Sequence, residues 1–254
     1  MNGYNQVGIV FPIYKVSPNP KELQRLRISF SKNLNSPKFL LYPEGLNIQA
    51  YSEFLSDAIQ SPWDSSSFDS RDHYNRMMLT ESFYRYFSHY VNEVIICQSD
   101  AILIRDVANL TLLRQSYIGA SWNPPYLISH FREKFFVNRN WLSKFTKNTI
   151  LSAGNGGLSY RNLKDMLTVI KEMKKSPYWQ RFTSLSDRKL NEDLAIVLFC
   201  QLLGLPVADK NMADSIFIET AQIPTSSFRS VYGFHALERI NPILEMRIIQ
   251  DHSF

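Results

Sequence analysis

Val94-Ile95-Ile96-Cys97-Gln98-Ser99-Asp100-Ala101-Ile102-Leu103-Ile104 consists of two apolar runs with three polar residues between them. Short apolar runs are typical of strands that are buried on both faces, so residues 94–97 and 101–104 predict two strands. The polar residues then lie at a strand end, where open α/β sheets collect their ligands. Because a carboxylate there suits a divalent cation, we expect Asp100 to bind a metal ion.

A glycine run follows at Gly154-Asn155-Gly156-Gly157-Leu158-Ser159-Tyr160-Arg161. Glycine lets the backbone approach a ligand closely and tolerates positive φ, so the run predicts a tight cradle for a diphosphate. Apolar residues at helical spacing from Leu163 to Met173 predict a helix directly after the run, with a phosphate near its start. The alternative is a loop that merely enters a helix, because short glycine motifs often have no ligand.

Other segments predict the rest of an α/β fold. Residues 7–14 and 38–43 read as strands joined by a helix, which is the opening of a parallel sheet. Residues 61–70 predict an exposed loop, 74–87 one aromatic helix, and 205–208 a late short strand. Residues 126–147 are basic and aromatic, and they suggest either an amphipathic helix pair or an insertion that faces the acceptor or a membrane.

Composition limits the class of protein. The chain has 254 residues, 44% of them hydrophobic, which suits one large domain as well as two small ones. Both cysteines stand in apolar runs and predict buried thiols. No apolar run approaches the roughly 20 residues that cross a bilayer, and the first residues are not those of a secretion signal, so we expect a cytoplasmic protein. The net charge of +5 is compatible with anionic partners. Nucleic acid is not expected, since no zinc-finger spacing or RNP motif occurs.

The order of six motifs resembles the DUF5672 family of glycosyltransferase-like proteins, which is similar to GT-A glycosyltransferases. These motifs are Gln98-Ser99-Asp100, Tyr117-Ile118-Gly119-Ala120-Ser121-Trp122, the glycine run, Glu192-Asp193, Phe217-Ile218-Glu219 and Gly233-Phe234-His235. The resemblance extends from residue 7 to residue 235. Two positions differ: Ser121 replaces a proline, and Gln98 stands where GT-A enzymes have the first aspartate of Asp-x-Asp.

The resemblance implies a single GT-A-like α/β domain over residues 1–254, with a mostly parallel central sheet flanked by helices. The residues themselves predict a basic and aromatic insertion around residues 123–150 and an amphipathic segment at 236–254. That last segment has apolar residues at helical spacing, so it is expected to pack on the domain or to touch a membrane surface.

The implied activity is metal-dependent transfer of a sugar from a nucleotide-sugar donor to a hydroxyl of a glycan or lipid-linked glycan, such as a surface polysaccharide precursor. Mn²⁺ or Mg²⁺ would be bound by Asp100 and His235. Asp193 and Glu192 would be the catalytic acids, with Asp193 as the general base and inversion as the expected outcome, although retention stays open. Trp122 and Asn123 would bind the acceptor. The donor would be bound by Pro12, Tyr14, Gln98, Ser99, Asp100, Gly154, Asn155, Gly156 and Gly157.

Structural roles and other functions compete with this interpretation. Glu192 and Asp193 suit the first turn of a helix capped by Asn191, where they would complement the helix dipole. His235 could be a hydrogen-bonded structural histidine, and Trp122 a core residue. Gln98 in the metal motif leaves open a catalytically weak module that binds nucleotide sugars or glycans. The expected location is the cytoplasm, with peripheral contact at the inner face of the membrane as the alternative. Nucleotidyl transfer on a similar fold is the third possibility.

Overall fold

The structure, a computed structural model, describes residues 6–131, 134–137, 147–176, 191–219 and 230–252. Its strands in chain order are β1 (Val7–Pro12), β2 (Lys38–Pro43), β3 (Ile59–Trp63), β4 (Glu93–Cys97), β5 (Ala101–Leu103), β6 (Tyr117–Gly119), β7 (Ser121–Phe131), β8 (Lys134–Val137), β9 (Lys147–Ala153), β10 (Leu158–Asn162), β11 (Phe217–Ile218) and β12 (Gly233–His235). Its α-helices are α1 (Pro20–Lys32), α2 (Arg71–Met78), α3 (Glu81–Ser88), α4 (Leu163–Lys175), α5 (Glu192–Leu202), α6 (Lys210–Ile216), α7 (Leu237–Ile240) and α8 (Pro242–His252).

A six-stranded sheet in the order β3-β2-β1-β4-β10-β6 forms the centre. The first four of these strands are parallel, and β10 is antiparallel to both of its neighbours. Successive residues of β4 alternate between two cores: Val94 and Ile96 pack with α3, α4 and α5, whereas Ile95 and Cys97 pack with α1 and α6. The predicted α/β class, with a mostly parallel central sheet flanked by helices, is confirmed.

Two smaller sheets extend this core. Strands β11, β12 and β5 form one, in which β12 is antiparallel to β5 and His235 is paired with Ala101. Strands β8, β7 and β9 form an antiparallel sheet within the predicted insertion. The predicted helix pair is therefore wrong for the described part of residues 126–147, because aromatic and β-branched residues such as Tyr126 and Ile128 favour strands. Residues 132–133 and 138–146 lie outside the described residues.

Several local predictions fail for identifiable reasons. The aromatic helix predicted over 74–87 is two helices: α2 ends at Met78, and the side chain of Thr80 accepts from the N–H of Phe83 as the N-cap of α3. The loop predicted over 61–70 contains the end of the edge strand β3 and a 3₁₀ turn at Ser65–Phe68. The strand predicted at 205–208 is reduced to one bridge between Val207 and Tyr117.

The helix predicted from Leu163 to Met173, directly after the glycine run, is confirmed as α4, but the second half of the run itself forms the strand β10. Leu158 pairs with Cys97 at the end of β4, and Asn162 pairs with Glu93 at its start, so β10 runs the full length of β4 before α4 begins. The start of α4 therefore lies beside the start of β4, whereas Gln98 follows the end of that strand. A phosphate near that helix start would lie away from Gln98, and it stays a prediction.

The C-terminal segment packs as expected. Ile248 and Ile249 of α8 are buried against the residues around β5 and β12, whereas Ile243 and Met246 are exposed. The two cysteines are buried free thiols, as predicted. In the described part of the chain, no helix has the length and apolar character needed to span a membrane.

Candidate functional site

A cleft of about 590 Å³ opens at the edge of the sheet where β1 and β4 end. Ten of the residues that the sequence proposed line this cleft. They are Pro12, Tyr14, Gln98, Ser99, Asp100, Asn155, Gly156, Gly157, Glu192 and Asp193. Pro12 and Asp193 thus line the same cavity, although 181 positions separate them in the sequence.

Asp100 and His235 are brought together by the pairing of β5 with β12. The N–H of Ala236 donates to the carbonyl of Asp100 at 3.0 Å, and Nε2 of His235 lies 3.2 Å from Oδ1 of Asp100. On the other side of the ring, Nδ1 lies 3.1 Å from Oε1 of Glu219. Arg239 donates to Oδ2 of Asp100 at 2.7 Å. The imidazole is therefore held between two carboxylates.

The charges of these groups depend on one another. Burial by itself would lower the pKa of His235, but Asp100 and Glu219 outweigh burial and raise this pKa to about 9. Burial by itself would raise the pKa of Asp100, but His235, followed by Arg239, lowers it to about 2. Near neutral pH the metal-free site therefore contains an imidazolium beside a carboxylate. A metal ion that binds Nε2 must displace a proton.

The residues fit a divalent cation that keeps water and phosphate ligands. Both ring nitrogens of His235 are buried without a well-aligned hydrogen-bond partner among the described residues, and Nε2 faces Asp100. Glu219 stands where a carboxylate would orient a metal-binding imidazole. Within the described ranges, no three His, Cys, Asp or Glu side chains form a complete metal cluster. Mg²⁺ is commonly bound through one or two carboxylates together with substrate phosphates, so a partial protein ligand set is compatible with this cation.

The glycine loop, residues 154–157, lies between the acid pair on one side and His235 on the other. The N–H of Gly156 donates to Oδ2 of Asp193 at 3.0 Å, and a Cβ atom on residue 156 would lie 2.5 Å from Oε1 of Glu192. A Cβ atom on Gly157 would collide with the ring of His235. The carbonyl of Gly157 accepts from the N–H of Gln98 at 2.9 Å. The sequence attributed these glycines to the approach of a ligand, but in the structure they make room for side chains of the protein itself.

Glu192 and Asp193 form a buried acid pair in the first turn of α5. Oδ1 of Asp193 accepts from the N–H of Leu194 at 2.6 Å, so the carboxylate receives one amide from its own helix and one from the glycine loop. Burial, followed by the charge of Glu192, raises the pKa of Asp193 well above the usual range of an aspartate. Oε1 of Glu192 accepts from Nη2 of Arg161 at 2.9 Å. Asn191 is the N-cap by position, but its side chain makes no capping hydrogen bond.

Four predicted site residues lie outside the lining of the cleft: His235, whose contacts are given above, and Gly154, Trp122 and Asn123. Trp122 is half-buried, packs against Gly154 and meets Tyr126 edge-on with ring centroids 5.1 Å apart. Gly154 has φ +146 and its carbonyl accepts from the hydroxyl of Tyr117 at 2.9 Å. Asn123 is exposed on β7. These positions border the core and the insertion.

The sequence missed one wall of the cleft. Seven further lining residues are Glu22, Phe68, Ser70, Arg71, Tyr74, Asn75 and Asn191. Most of them come from the start of α2 and the turn before it, where the N–H of His73 donates to the Ser70 side chain. Ser70 as an N-cap was the available signal, but it shows only where a helix begins and not that the helix faces a cleft.

The comparison with solved structures concerns the fold. The crystal structure of mouse xyloside xylosyltransferase 1, apo form, matches with a TM-score of 0.55 and 10% sequence identity, over 92% of this chain and 99% of that chain. At this identity the likeness shows a shared fold, which is that of a glycosyltransferase in the mouse protein.

The sequence comparisons are more limited. Among curated proteins, none matches this chain. One family model matches residues 59–235 and is described as "Protein of unknown function (DUF5672)". Since this match covers more than half of the chain, the protein belongs to the DUF5672 family.

Proposed function

We propose that the protein is a GT-A-like glycosyltransferase that moves a sugar from a nucleotide-sugar donor to a hydroxyl of an acceptor. One observation carries the proposal: adjacent glycines, Gly156 and Gly157, contact Asp193 on one side and His235 on the other. A buried acid of the cleft lining and a candidate metal ligand thereby contact the same loop. The fold shared with a xylosyltransferase supports the same class of activity.

The donor would lie along the Asp100 side of the cleft. Asp100 and His235 would hold Mn²⁺ or Mg²⁺, which would neutralise the diphosphate leaving group when bound. Gln98, Ser99 and the loop at Asn155 to Gly157 would border the nucleotide and its phosphates, together with Pro12 and Tyr14 at the end of β1. Arg71 adds a cation to a lining that otherwise contains four acids, and it is suited to an anionic part of a substrate.

The acid would act on the acceptor. A general base needs a pKa near the working pH, and burial shifts the pKa of Asp193 in that direction. Asp193 would accept the proton of the attacking hydroxyl as the new glycosidic bond forms. Attack from the face opposite to the leaving group would invert the anomeric carbon. Binding of a glycan or lipid-linked acceptor by Trp122 and Asn123, and action in the cytoplasm or at the inner face of a membrane, stay predictions from the sequence.

A second candidate is a binding module without turnover. It is favoured by the contacts of Asp100, because His235 and Arg239 already neutralise this carboxylate. A metal ion must compete with these cations, and Gln98 supplies no second carboxylate. A module of this kind would bind nucleotide sugars with little dependence on Mn²⁺.

A ligand panel followed by product analysis tests the proposal. The melting temperature is measured with nucleoside diphosphates and nucleotide sugars, each with Mn²⁺ and with EDTA, and bound donors are then incubated with candidate acceptors. A glycosyltransferase requires Mn²⁺-dependent stabilisation and release of nucleoside diphosphate. Release of pyrophosphate would indicate nucleotidyl transfer, and stabilisation without any product would indicate a binding module.

A further inference from the structure

A completely buried arginine lies beneath the acid pair. Arg161 of β10 is 0% exposed, and its guanidinium makes three hydrogen bonds with side chains. Nε donates to Ser159 Oγ at 3.0 Å, Nη1 to the Tyr84 hydroxyl at 3.0 Å, and Nη2 to Glu192 Oε1 at 2.9 Å. A buried charge is costly unless it is paired and hydrogen-bonded, so the fold has to satisfy this group in a fixed geometry.

The two acids of the pair have different partners. Glu192 is bound by a full positive charge, whereas the two oxygens of Asp193 accept from the main-chain N–H groups of Gly156 and Leu194. Like charges on adjacent carboxylates disfavour double ionisation, and an ion pair stabilises the anion that makes it. The guanidinium of Arg161 therefore favours the ionised form of Glu192, and a proton that enters the pair goes to Asp193.

Three tyrosines and one cysteine near the pair stay neutral. Tyr74 of α2, Tyr84 of α3 and Tyr117 of β6 all have a pKa that burial raises above the usual value of tyrosine. Burial also raises the pKa of the Cys200 thiol, further along α5, to about 12. The charge of Asp165 of α4 also raises the pKa of that thiol, and Arg71 lines the cleft. Near neutral pH, Arg161 and Glu192 are thus the charges that set the protonation of Asp193.

We propose that Arg161 is a positioning residue that holds Glu192 as an anion beneath the cleft and thereby makes Asp193 the member of the pair that exchanges a proton. This inference rests on the proposed function, in which Asp193 is the base. It separates the roles of the two acids: Glu192 acts through its charge, and Asp193 contacts the acceptor.

Carbon-13 NMR titration of the side-chain carboxyls of the full chain tests the assignment directly. In the wild-type protein, Asp193 should titrate above the ordinary aspartate range of about 4. Glu192→Gln removes the neighbouring negative charge and should lower the midpoint of Asp193 by about one unit. Arg161→Met removes the positive charge and should raise it. Glu172→Gln, which alters an exposed pair with Lys175 on α4, is the matched control and should leave the midpoint unchanged.

The Asp193 midpoint should thus fall in Glu192→Gln and rise in Arg161→Met. If Arg161 only supported the fold, the two substitutions would not shift this midpoint in opposite directions. If Arg161→Met does not fold, as judged by its melting curve, Glu192→Gln and Arg161→Lys decide the matter, because both retain a hydrogen-bonding group at the position. Titration of Glu192 in place of Asp193, or an unchanged Asp193 midpoint in Glu192→Gln, would overturn the inference.

The pH profile of transfer separates this inference from the proposed function. If transfer occurs, its acidic limb should follow the Asp193 midpoint in each variant, and a limb that ignores this midpoint would overturn the inference while the activity stands. If the midpoints shift as expected but no donor is turned over, the assignment of the proton to Asp193 is supported and the proposed activity fails.

Discussion

Gly157 lies so close to the imidazole of His235 that a Cβ atom on residue 157 would collide with the ring. The same loop binds Asp193 through the N–H of Gly156 and receives the N–H of Gln98 at the carbonyl of Gly157. The loop therefore couples the candidate metal ligand to the candidate base. A side chain added at residue 157 must therefore displace either the imidazole of His235 or the loop itself.

Gly157→Ala should weaken Mn²⁺-dependent binding of a nucleoside diphosphate by about 10- to 100-fold, because the ring of His235 must move away from its present position. Isothermal titration calorimetry measures this affinity. Gly204→Ala is the control: Gly204 has φ +68 and open space around it, so the variant should cost about 1–2 kcal/mol of stability and leave binding unchanged. Wild-type affinity in Gly157→Ala would show that the contact is not needed by the site.

Asp100→Asn should abolish Mn²⁺-stimulated hydrolysis or transfer of the donor, since it removes the charge at nearly constant volume. The fold should persist, because the change leaves Arg239 and His235 with a neutral acceptor. Activity is measured across a Mn²⁺ series, with Asp251→Asn, an exposed aspartate on α8, as the control. Unchanged stimulation in Asp100→Asn would remove this residue from the metal site.

His235→Ala should weaken binding of a nucleoside diphosphate more strongly with Mn²⁺ than with EDTA, because only the part of the affinity that passes through the metal ion is lost. Calorimetry under both conditions gives the two ratios. An equal loss in both would identify His235 as a structural residue that merely supports the glycine loop.

The pair of His235 and Asp100 predicts a stability that depends on pH in the absence of metal. The pKa of His235 is raised to about 9 in the folded state, so its contribution is fully present below the unfolded value of about 6.5 and is lost as pH rises through 9. The loss should be on the order of 3 kcal/mol by linkage. The depressed pKa of Asp100, about 2, adds stability above about pH 4 that is lost as pH falls through 2.

Urea unfolding in EDTA between pH 6 and 10, in about five steps, measures this dependence. His235→Ala should lack the decline that the wild-type protein shows toward pH 10, within about 1 kcal/mol. The same decline in both proteins would assign the pH dependence to other groups.

Continuous apolar runs made the centre of the fold predictable. Residues 38–43 and 94–97 were correctly predicted as strands. They are buried on both faces, so their apolar residues are continuous and show no helical spacing. The break at Thr80 was missed, since aromatic residues at helical spacing continue across it. The strand β10 within the glycine run was missed because its polar positions, Ser159 and Arg161, belong to a buried network that appears only in the folded chain.

The part of the candidate site that lies at a strand end was predictable from its motifs. The part of the cleft lining that comes from α2 and the turn before it was not. Gln98, Asp100 and the glycine loop converge on the cleft as expected. The pairing of Arg161 with Glu192 could not be foreseen, because neither residue indicates its partner and the two meet only when α5 packs beside β10. Trp122 contacts the back of the loop through Gly154, so an aromatic residue beside a motif did not by itself predict a place in the cleft.

Single-turnover transfer by Asp193→Asn, measured with donor affinity on the same preparation, tests the proposed base most directly. Transfer should fall by roughly 10²- to 10⁴-fold while donor affinity is nearly retained, because the lost interaction involves the proton of the acceptor and not the nucleotide. A carboxylate that only complements the helix dipole would instead cost about 0.3–1 kcal/mol of stability and leave the rate near normal. Near-normal transfer by a folded Asp193→Asn variant would contradict the proposed mechanism.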